Sequence, residues 1–497
     1  MRPPRVHPAT DCIIAARRAS RQSPPRPTTA GRPAADRLGE VLALIGQADP
    51  GTLAAALPSL YTEGNLARAP LHERIGAFSD WRSRGGFEPV ETLRDDPHAI
   101  EIIARQPVTD EHWRMAIEVS QELPHRIEAL LLGRAPLPPA PVGSDADAAD
   151  AFLEHVDRLA KHELFSGTVL IGRHGRILGH RAFGLANRDF GVPNNIETRF
   201  NVASLTKSWT AVAVCQLVEA GCLSLEGRLG AFLPYPDAET AGAIEIRHLL
   251  SHTSGLGTYF NARFDATPRT LIRDLDDFLA LAADERPRFA PGTGWHYSNT
   301  GMILLGKVIE AVTGTPYHRH VETEVLARAG MTGAGFIELD RVNPNVAVGY
   351  HRTWTQSGPV VANTLFDWAV RGAPDGCGFA TAADIWAFGE ALRAGRLVSA
   401  AMVETMTTAK PELGSPYYGY GFSVHPERAL FGHSGGLVGA SANLDMTLAP
   451  EGWTIVVLAN DLSMRAPVIK ARQLVGMNVP EDKEGRAYLP RAGMTAR

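Results

Sequence analysis

Segments with the character of β-strands occur at both ends of residues 148–475, and the residues between them read as helices and loops. Near the start, SGTVLIGRHGRILGHRAFG reads as two strands joined by a glycine-containing turn. Near the end, YGYGFSVH, ALFGHSGG, ASANLDMTLAP and WTIVVLAND read as further strands, whereas residues 225–345 are helical and loop-rich. The pattern therefore predicts an α+β architecture, in which strands from both chain ends form one sheet around a helical insertion.

Composition changes divide the chain into five parts. The first is low in complexity and rich in Arg and Pro, which predicts a disordered tail. Next come three helical segments and four strand segments, typical of a small α+β accessory domain of cystatin- or NTF2-like type. A Pro-rich and then acidic stretch marks a linker. The predicted parts are a tail (1–36), an accessory domain (37–134), a linker (135–147), a larger domain (148–475) and a C-terminal tail (476–497).

Charge and hydropathy narrow the range of partners. The formal net charge is −5, but residues 1–37 carry eight Arg and two Asp, so the remainder carries −11. An acidic body argues against nucleic-acid binding as the main role. No apolar run approaches the length of a membrane span, and the N-terminal tail lacks the apolar core of a signal peptide, which predicts a cytoplasmic protein. Four cysteines without a C-x-x-C pair predict no cysteine-based metal site.

A first chemical motif lies in FNVASLTKSWTAVAVCQLVEAG. Ser204 and Lys207 are three residues apart at the start of an apolar helix, so the lysine amine can reach the serine hydroxyl. The helix N-terminus favours negative charge that develops at the serine. Desolvation on an apolar helix disfavours the ammonium, as a general base requires. Alone, the same spacing also fits a capping serine followed by a surface lysine.

Two further motifs follow along the chain. Tyr297 and Asn299 form Y-x-N before a second apolar helix, where a tyrosine can relay a proton and an asparagine can orient an amide. Alone, they also fit a core tyrosine and a turn asparagine. His433-Ser434-Gly435-Gly436 lies on a predicted strand edge, where glycines let a substrate approach the backbone closely.

In this order, S-x-x-K, Y-x-N and H-x-G resemble the motifs of the penicillin-recognising serine hydrolases. That superfamily includes class C β-lactamases, D-alanyl-D-alanine carboxypeptidases, D-aminopeptidases and family VIII carboxylesterases. The flanking segments IRHLLSHTSGL, GFATAADIWAFGEAL and GHSGGLVGASANL agree with this resemblance. It covers roughly residues 148–465 and implies a β-lactamase/transpeptidase-like fold without a cofactor or metal.

The resemblance also implies roles for individual residues. Ser204 would be the acylated nucleophile, Lys207 its base, and Tyr297 the partner in acid–base work. Asn299, His433 and Ser434 would contact substrate, and the amides of Ser204 and Gly436, beside Gly435, would bind the oxyanion. Many members have Lys-Thr-Gly where this chain has His433-Ser434-Gly435. The missing lysine charge puts β-lactam hydrolysis in doubt, and H-x-G is familiar among the aminopeptidase- and esterase-like members.

Two other patterns suggest competing chemistry. Gly432–Gly436 fits G-x-S-x-G, the nucleophile elbow of α/β-hydrolases, with Ser434 as nucleophile. No histidine follows His433, however, so Ser434 lacks the downstream base that the fold requires. His248 and His252 are four residues apart, as in a zinc-binding helix, but Leu249 replaces the glutamate of that motif. Both patterns are interpreted as coincidental.

The sequence thus predicts a serine hydrolase that cleaves a small ester or amide through an acyl-enzyme. Alternatives are a β-lactamase or D-Ala-D-Ala carboxypeptidase and, from another class, a non-catalytic scaffold or binding protein with the same fold. The expected partner is a small molecule rather than nucleic acid or membrane, and homo-oligomerisation is left open. Aromatic residues that could line the pocket, or equally belong to the core, are Phe260, Phe264, Trp295 and Tyr350.

Overall fold

The computed structural model describes residues 31–140, 143–234, 237–355, 358–448 and 451–477. The predicted N-terminal tail therefore lies almost entirely outside the described residues, as do positions 478–497 of the predicted C-terminal tail. Within the described ranges, no helix combines the length and the apolarity that crossing a bilayer requires.

The N-terminal part contains helices followed by a meander, as predicted. Its helices are α1 (Pro33–Gln47), α2 (Pro50–Leu60), α3 (Glu63–Leu66) and α4 (Leu71–Ser83). Its strands are β1 (Glu88–Asp96), β2 (Ala99–Arg105), β3 (His112–Val119) and β4 (Ile127–Arg134). They pair antiparallel in the order β1-β2-β3-β4, and the helices bury their apolar residues against them in a core of their own.

The first helix begins earlier than predicted, which corrects the boundary between tail and accessory domain. Pro33 lies in the first turn of α1. The missing N–H of proline has no cost there, because the first amides of a helix have no acceptor within the helix. Ala34 is fully buried against the N-terminal core, so the apolar face extends before Asp36. The low-complexity composition therefore continues into ordered structure. The division of the chain into domains otherwise stays a prediction.

The rest of the chain builds one large sheet with helices on both faces. The helices are α5 (Asp145–Lys161), α6 (Thr206–Glu219), α7 (Ala238–Ala243), α8 (Ile246–Leu250), α9 (Ala262–Ala266), α10 (Leu275–Leu281), α11 (Asn299–Thr313), α12 (Tyr317–Val321), α13 (Ala382–Arg393), α14 (Ala400–Met406) and α15 (Arg465–Leu474). The strands are β5 (Gly167–Arg173), β6 (Arg176–Phe183), β7 (Leu185–Asn187), β8 (Val192–Pro193), β9 (Phe200–Asn201), β10 (Tyr350–Thr355), β11 (Gly358–Asn363), β12 (Phe379–Ala380), β13 (Ser423–His425), β14 (Leu430–Leu437), β15 (Ala440–Thr447) and β16 (Trp453–Ala459).

The six-stranded sheet confirms the prediction that strands from both chain ends pair. Its order is β13-β14-β15-β16-β5-β6, and β16 pairs antiparallel with β5, Trp453 opposite Arg173. Val169 and Ile171 pack with α5 and α15 on one face, whereas Leu170 packs with the helical insertion and α13 on the other. Burial on both faces explains why β16 carries the unbroken apolar run IVVLA rather than alternating apolar and polar residues.

Polar contacts join the N-terminal part to the large sheet's outer helices. Asp110 in the β2–β3 loop accepts a hydrogen bond from Lys470 Nζ on α15 at 2.7 Å. Arg158 on α5 donates to the backbone oxygen of Val108 at 3.0 Å, and Val108 packs into the core beneath α5. Both contacts are made on the face of the sheet opposite the helical insertion.

Candidate active site

Ser204 lies in a single 3-10 turn, Ala203–Leu205, that leads directly into α6. Ala203 has a positive φ of 46°, and its amide donates to Asn201 Oδ1 at 2.9 Å, which holds the turn in this shape. Almost every residue of α6 is buried, whereas Ser204 is only partly so. The helix therefore presents the Ser204 hydroxyl at the edge of the core.

Lys207 is fully buried one helical turn beyond Ser204. Its Nζ lies 3.0 Å from Ser204 Oγ and also donates to the backbone oxygen of Asp375. The same nitrogen lies 4.8 Å from the centroid of the Tyr297 ring. The lysine thus joins the serine to the tyrosine of the second motif, which is the juxtaposition that the S-x-x-K spacing predicts.

Asn299 is the first residue of α11 and follows Tyr297 by two positions. Its Nδ2 donates to Thr258 Oγ1 at 3.1 Å, which fixes the amide group. Its Oδ1 is buried without a hydrogen-bond partner among the described residues. A buried acceptor in this state is costly unless a ligand group can donate to it, so the arrangement suits an incoming N–H or O–H.

Strand β14 closes the other side of the serine. A Cβ on Gly435 would lie 2.4 Å from the Val202 oxygen and 2.7 Å from the Ser204 amide nitrogen, so only glycine permits this approach. Strand β13 pairs with β14 only at Leu430–Gly432, and within the described chain the edge of β14 beyond it has no strand partner. Gly436, which pairs with Ser441 of β15, belongs to this stretch of β14 beyond the pairing with β13.

His433 is buried beside the site and uses both ring nitrogens. Nδ1 donates to the Ser434 backbone oxygen at 2.6 Å, and Nε2 accepts from the Tyr418 hydroxyl at 2.9 Å. Burial, reinforced by the nearby Lys207 ammonium, lowers the pKa of His433 to about 3. The ring is therefore neutral at physiological pH and, in this tautomer, has no N–H left for a substrate.

Ser434 does not occupy a nucleophile elbow. It lies in the middle of β14, paired with Asn443 of β15, rather than at a turn from strand to helix. Side chains alternate along a strand, so Ser434 faces away from the side on which Gly435 meets Ser204. It lines a small cavity with Asp445 and Arg472. Its predicted contact with substrate stays a prediction.

His252 lies inside the site, although the sequence suggested only a coincidental spacing with His248. Its ring centroid is 4.4 Å from that of Tyr297 and 4.6 Å from that of Tyr418, and its Nδ1 accepts the Ser298 amide at 3.2 Å. Complete burial, followed by the charge of Lys207, holds its pKa well below the usual range. The polar run Ser251–Ser254, flanked by apolar residues, was the available sequence signal for this site. The structure buries the run completely.

The zinc-like spacing of His248 and His252 is interpreted above as coincidental, and His248 lies within the short helix α8. His248 Nδ1 accepts the amide of Glu245, at 3.1 Å, at the start of α8. Among the described residues, no three His, Cys, Asp or Glu side chains are arranged to hold a metal ion.

The four candidate wall residues separate into two groups. Trp295 lies beside the site, with its ring centroid 6.3 Å from that of Tyr297. Phe260 and Phe264 pack edge to face at 4.8 Å next to Tyr259, and Phe260 keeps 43% of its surface exposed. Tyr350, by contrast, is buried in β10, where its hydroxyl accepts the Arg188 amide, so it belongs to the core.

Comparisons with known proteins agree with this geometry. A family model described as Beta-lactamase matches residues 149–476. Esterase EstB of Burkholderia gladioli is 36% identical over 232 residues, which are 44% of this chain and 58% of the esterase. A penicillin-binding protein of Bacillus subtilis is 30% identical over 65% of this chain and 74% of its own length. The crystal structure of a penicillin-binding protein from Bacillus halodurans superposes with a TM-score of 0.56 at 30% identity, covering 66% of this chain and 99% of that one.

Proposed function

The chain belongs to the Beta-lactamase family, within the penicillin-recognising serine hydrolases, and from this premise we propose that it cleaves small esters or amides through an acyl-enzyme on Ser204. One observation carries the assignment: the buried Lys207 amine lies 3.0 Å from the Ser204 hydroxyl. A lysine held out of water beside a serine is suited to take the serine's proton. The similarity to an esterase and to a penicillin-binding protein supports the substrate class.

In the proposed reaction, Ser204 Oγ attacks the carbonyl carbon while its proton passes to Lys207. The amides of Ser204 and Gly436 donate to the developing oxyanion, in a place that Gly435 keeps open by its close approach. Tyr297, in contact with Lys207, relays a proton to the leaving group. Water then attacks the acyl-enzyme while Lys207 takes a proton from it and passes that proton to the departing Ser204 Oγ, which releases the acid and leaves Lys207 as the free amine again.

Asn299 would receive the substrate's polar group, since its buried Oδ1 has no partner within the described structure. Trp295 and Phe260 would border the acyl or leaving group. His433 is neutral and engaged at both nitrogens, so the site has no second cation at the position where many relatives carry a lysine. This favours neutral esters and amides over β-lactams and peptides that carry a free carboxylate.

Labelling with a fluorophosphonate, followed by peptide mass mapping, tests the assignment. We expect an adduct on the Ser204 peptide that disappears in Ser204→Ala and persists in the matched control Ser434→Ala. An adduct on the Ser434 peptide would overturn the nucleophile assignment. An absence of any adduct on the folded wild-type protein would instead favour the non-catalytic scaffold.

A further inference from the structure

Asp375 is a buried acid beside the proposed base that belongs to none of the sequence motifs. Only 4% of its surface is exposed. Its backbone oxygen accepts the hydrogen bond of Lys207 Nζ, and its carboxylate Oδ2 accepts the Tyr259 hydroxyl at 2.8 Å. A single residue therefore contacts the base through its backbone and an aromatic residue through its side chain.

The turn that carries Asp375 is tied to the nucleophile's helix at several points. Ala373 and Gly376 exchange backbone hydrogen bonds of 2.8 and 3.0 Å, which closes the turn. The amide of Cys377, a residue with a φ of 67°, donates to Ala203 at 3.1 Å. Thr210 on α6 donates to Pro374 at 2.7 Å. The Asp375 carbonyl is consequently held in a defined position relative to Lys207.

Tyr259 anchors the same residue from the opposite side. Tyr259 is almost fully buried, and its ring packs against Phe260, Phe264 and Phe278 at centroid distances of 4.6, 5.7 and 5.1 Å. Its hydroxyl therefore has little freedom to move. Asp375 connects this aromatic cluster to the proposed base.

We propose that Asp375 is a positioning residue of this hydrolase: its carbonyl holds Lys207 against Ser204, and its carboxylate, fixed by Tyr259, acts on Lys207 through its negative charge. This inference rests on the proposed function, because it assigns Lys207 the role of base. The carboxylate favours the ammonium form through space.

The charged and titratable groups around the pair come from several elements. Burial raises the pKa of Asp375, while the nearby Lys207 charge opposes that rise. Burial and the neighbouring Asp375 also raise the pKa of Cys377 to about 12, so that thiol stays neutral. The groups that face Lys207 are Tyr297, His252, His433, Cys377 and Asp375.

The decisive variant is Asp375→Asn, which keeps an acceptor for Tyr259 and the backbone carbonyl but removes the charge. The rate of fluorophosphonate labelling at Ser204, measured from pH 4 to 10, reports the base without requiring a known substrate. We expect the acidic limb of the rate profile to move to lower pH by about one unit in this variant. The matched control is Asp384→Asn, since Asp384 is equally buried but caps α13. Its limb should coincide with that of wild type.

Tyr259→Phe tests the anchor if Asp375→Asn does not fold. The ring and its aromatic contacts remain, but the carboxylate loses its donor and is neutralised at higher pH. We expect the acidic limb to move in the same direction as in Asp375→Asn, by a smaller amount, with a lower maximal rate.

Coincident limbs in wild type and Asp375→Asn, with Ser204 still labelled, would overturn the role of Asp375 and leave the hydrolase assignment standing. Failure of wild type to label at Ser204 would instead remove the proposed function itself. A limb that moves equally in Asp384→Asn would show a nonspecific effect of buried charge and would also overturn the proposal.

Discussion

At the scale of single residues, the site is built around neutral histidines. His433 has its Nδ1–H committed to a backbone oxygen and its Nε2 committed to Tyr418, and His252 is stacked between Tyr297 and Tyr418. Both rings have pKa values far below the usual range because they are buried beside Lys207. These two histidines therefore contribute no positive charge to the site, and Lys207 is engaged as the proposed base.

This charge distribution predicts discrimination between neutral and acidic substrates. We expect kcat/KM for p-nitrophenyl butyrate to exceed that for the carboxylate-bearing p-nitrophenyl succinate by about tenfold or more. The reason is that the neutral His433 ring cannot form an ion pair with the substrate carboxylate. His433→Lys, which supplies such a donor, should narrow the ratio. Equal hydrolysis of the two esters by wild type would contradict the prediction.

The stacked histidine gives a second prediction. His252→Asn keeps an acceptor for the Ser298 amide but removes the ring that packs on Tyr297. We expect kcat to fall by about ten- to a hundredfold with KM little changed, because a misplaced proton-transfer group affects the transition state more than binding. His248→Asn, outside the site, is the control. A selective rise in KM in His252→Asn would indicate a substrate contact instead.

At the scale of elements, the close approach of β14 to the turn before α6 assembles the proposed oxyanion site. Gly435 makes this approach possible, because its missing Cβ leaves room for Val202 and Ser204. The strand also contributes Gly436, which lies beyond the pairing with β13. Two segments that are distant in sequence therefore pack so closely that a side-chain carbon at position 435 does not fit between them.

Gly435→Ala should separate them. We expect labelling at Ser204 to slow by about a hundredfold, since a Cβ at 2.4 Å from a backbone oxygen forces β14 away and weakens oxyanion binding. Gly133→Ala, on strand β4 where a Cβ meets open space, should leave the rate unchanged. An unchanged rate in Gly435→Ala would mean that the strand tolerates the shift and that the amide pair is unimportant.

Local patterns were sufficient to predict much of the site but not all of it. The Ser204–Lys207 contact follows from the i, i+3 spacing on one helix, and the glycines of β14 mark a close approach. Asp375 has no such signal, because its two contacts join residues 168 and 116 positions away. Tyr418 likewise gains its role only when the β13–β14 register places it beside His433.

At the scale of the whole molecule, local sequence patterns likewise predicted part of the fold, whereas contacts between distant residues could not be predicted. Strand-like segments at both chain ends predicted one common sheet, and the pairing of β16 with β5 confirms it. The start of α1 was misplaced because composition cannot reveal that Ala34 is buried by residues of a distant sheet. The contact between Asp110 and Lys470 also depends on residues 360 positions apart.

Buried neutral histidines outside and inside the site predict acid sensitivity of the whole fold. The pKa values of His155 and His433 are lowered to about 3 and that of His318 to about 4, mainly by burial. Unfolding lets each take a proton below its ordinary pKa, so stability is lost as pH falls from about 6.5 toward these values. Each group should cost about 2 kcal/mol at pH 5.

Urea unfolding at pH 8 and pH 5 measures the loss. We expect a lower midpoint at pH 5, and a smaller difference between the two midpoints in His155→Asn, where one of the three protonation sites is absent. A midpoint that does not change between pH 8 and pH 5 would contradict the prediction.

The pairing of β16 with β5 has a consequence for biosynthesis. Arg173 on β5 donates to the backbone of Glu451, 278 residues later, so β5 leaves the ribosome long before its partner exists. At about 5–20 residues per second, the nascent chain waits for tens of seconds with an apolar strand uncovered. The site around Ser204 is also incomplete during this time, because β14, which packs against the Ser204 turn, is synthesised more than two hundred residues later. We therefore expect protease protection of Gly167–Phe183 in stalled nascent chains only after Trp453–Ala459 has emerged, and we expect the proposed nucleophile to acquire its oxyanion site only once β14 has been made.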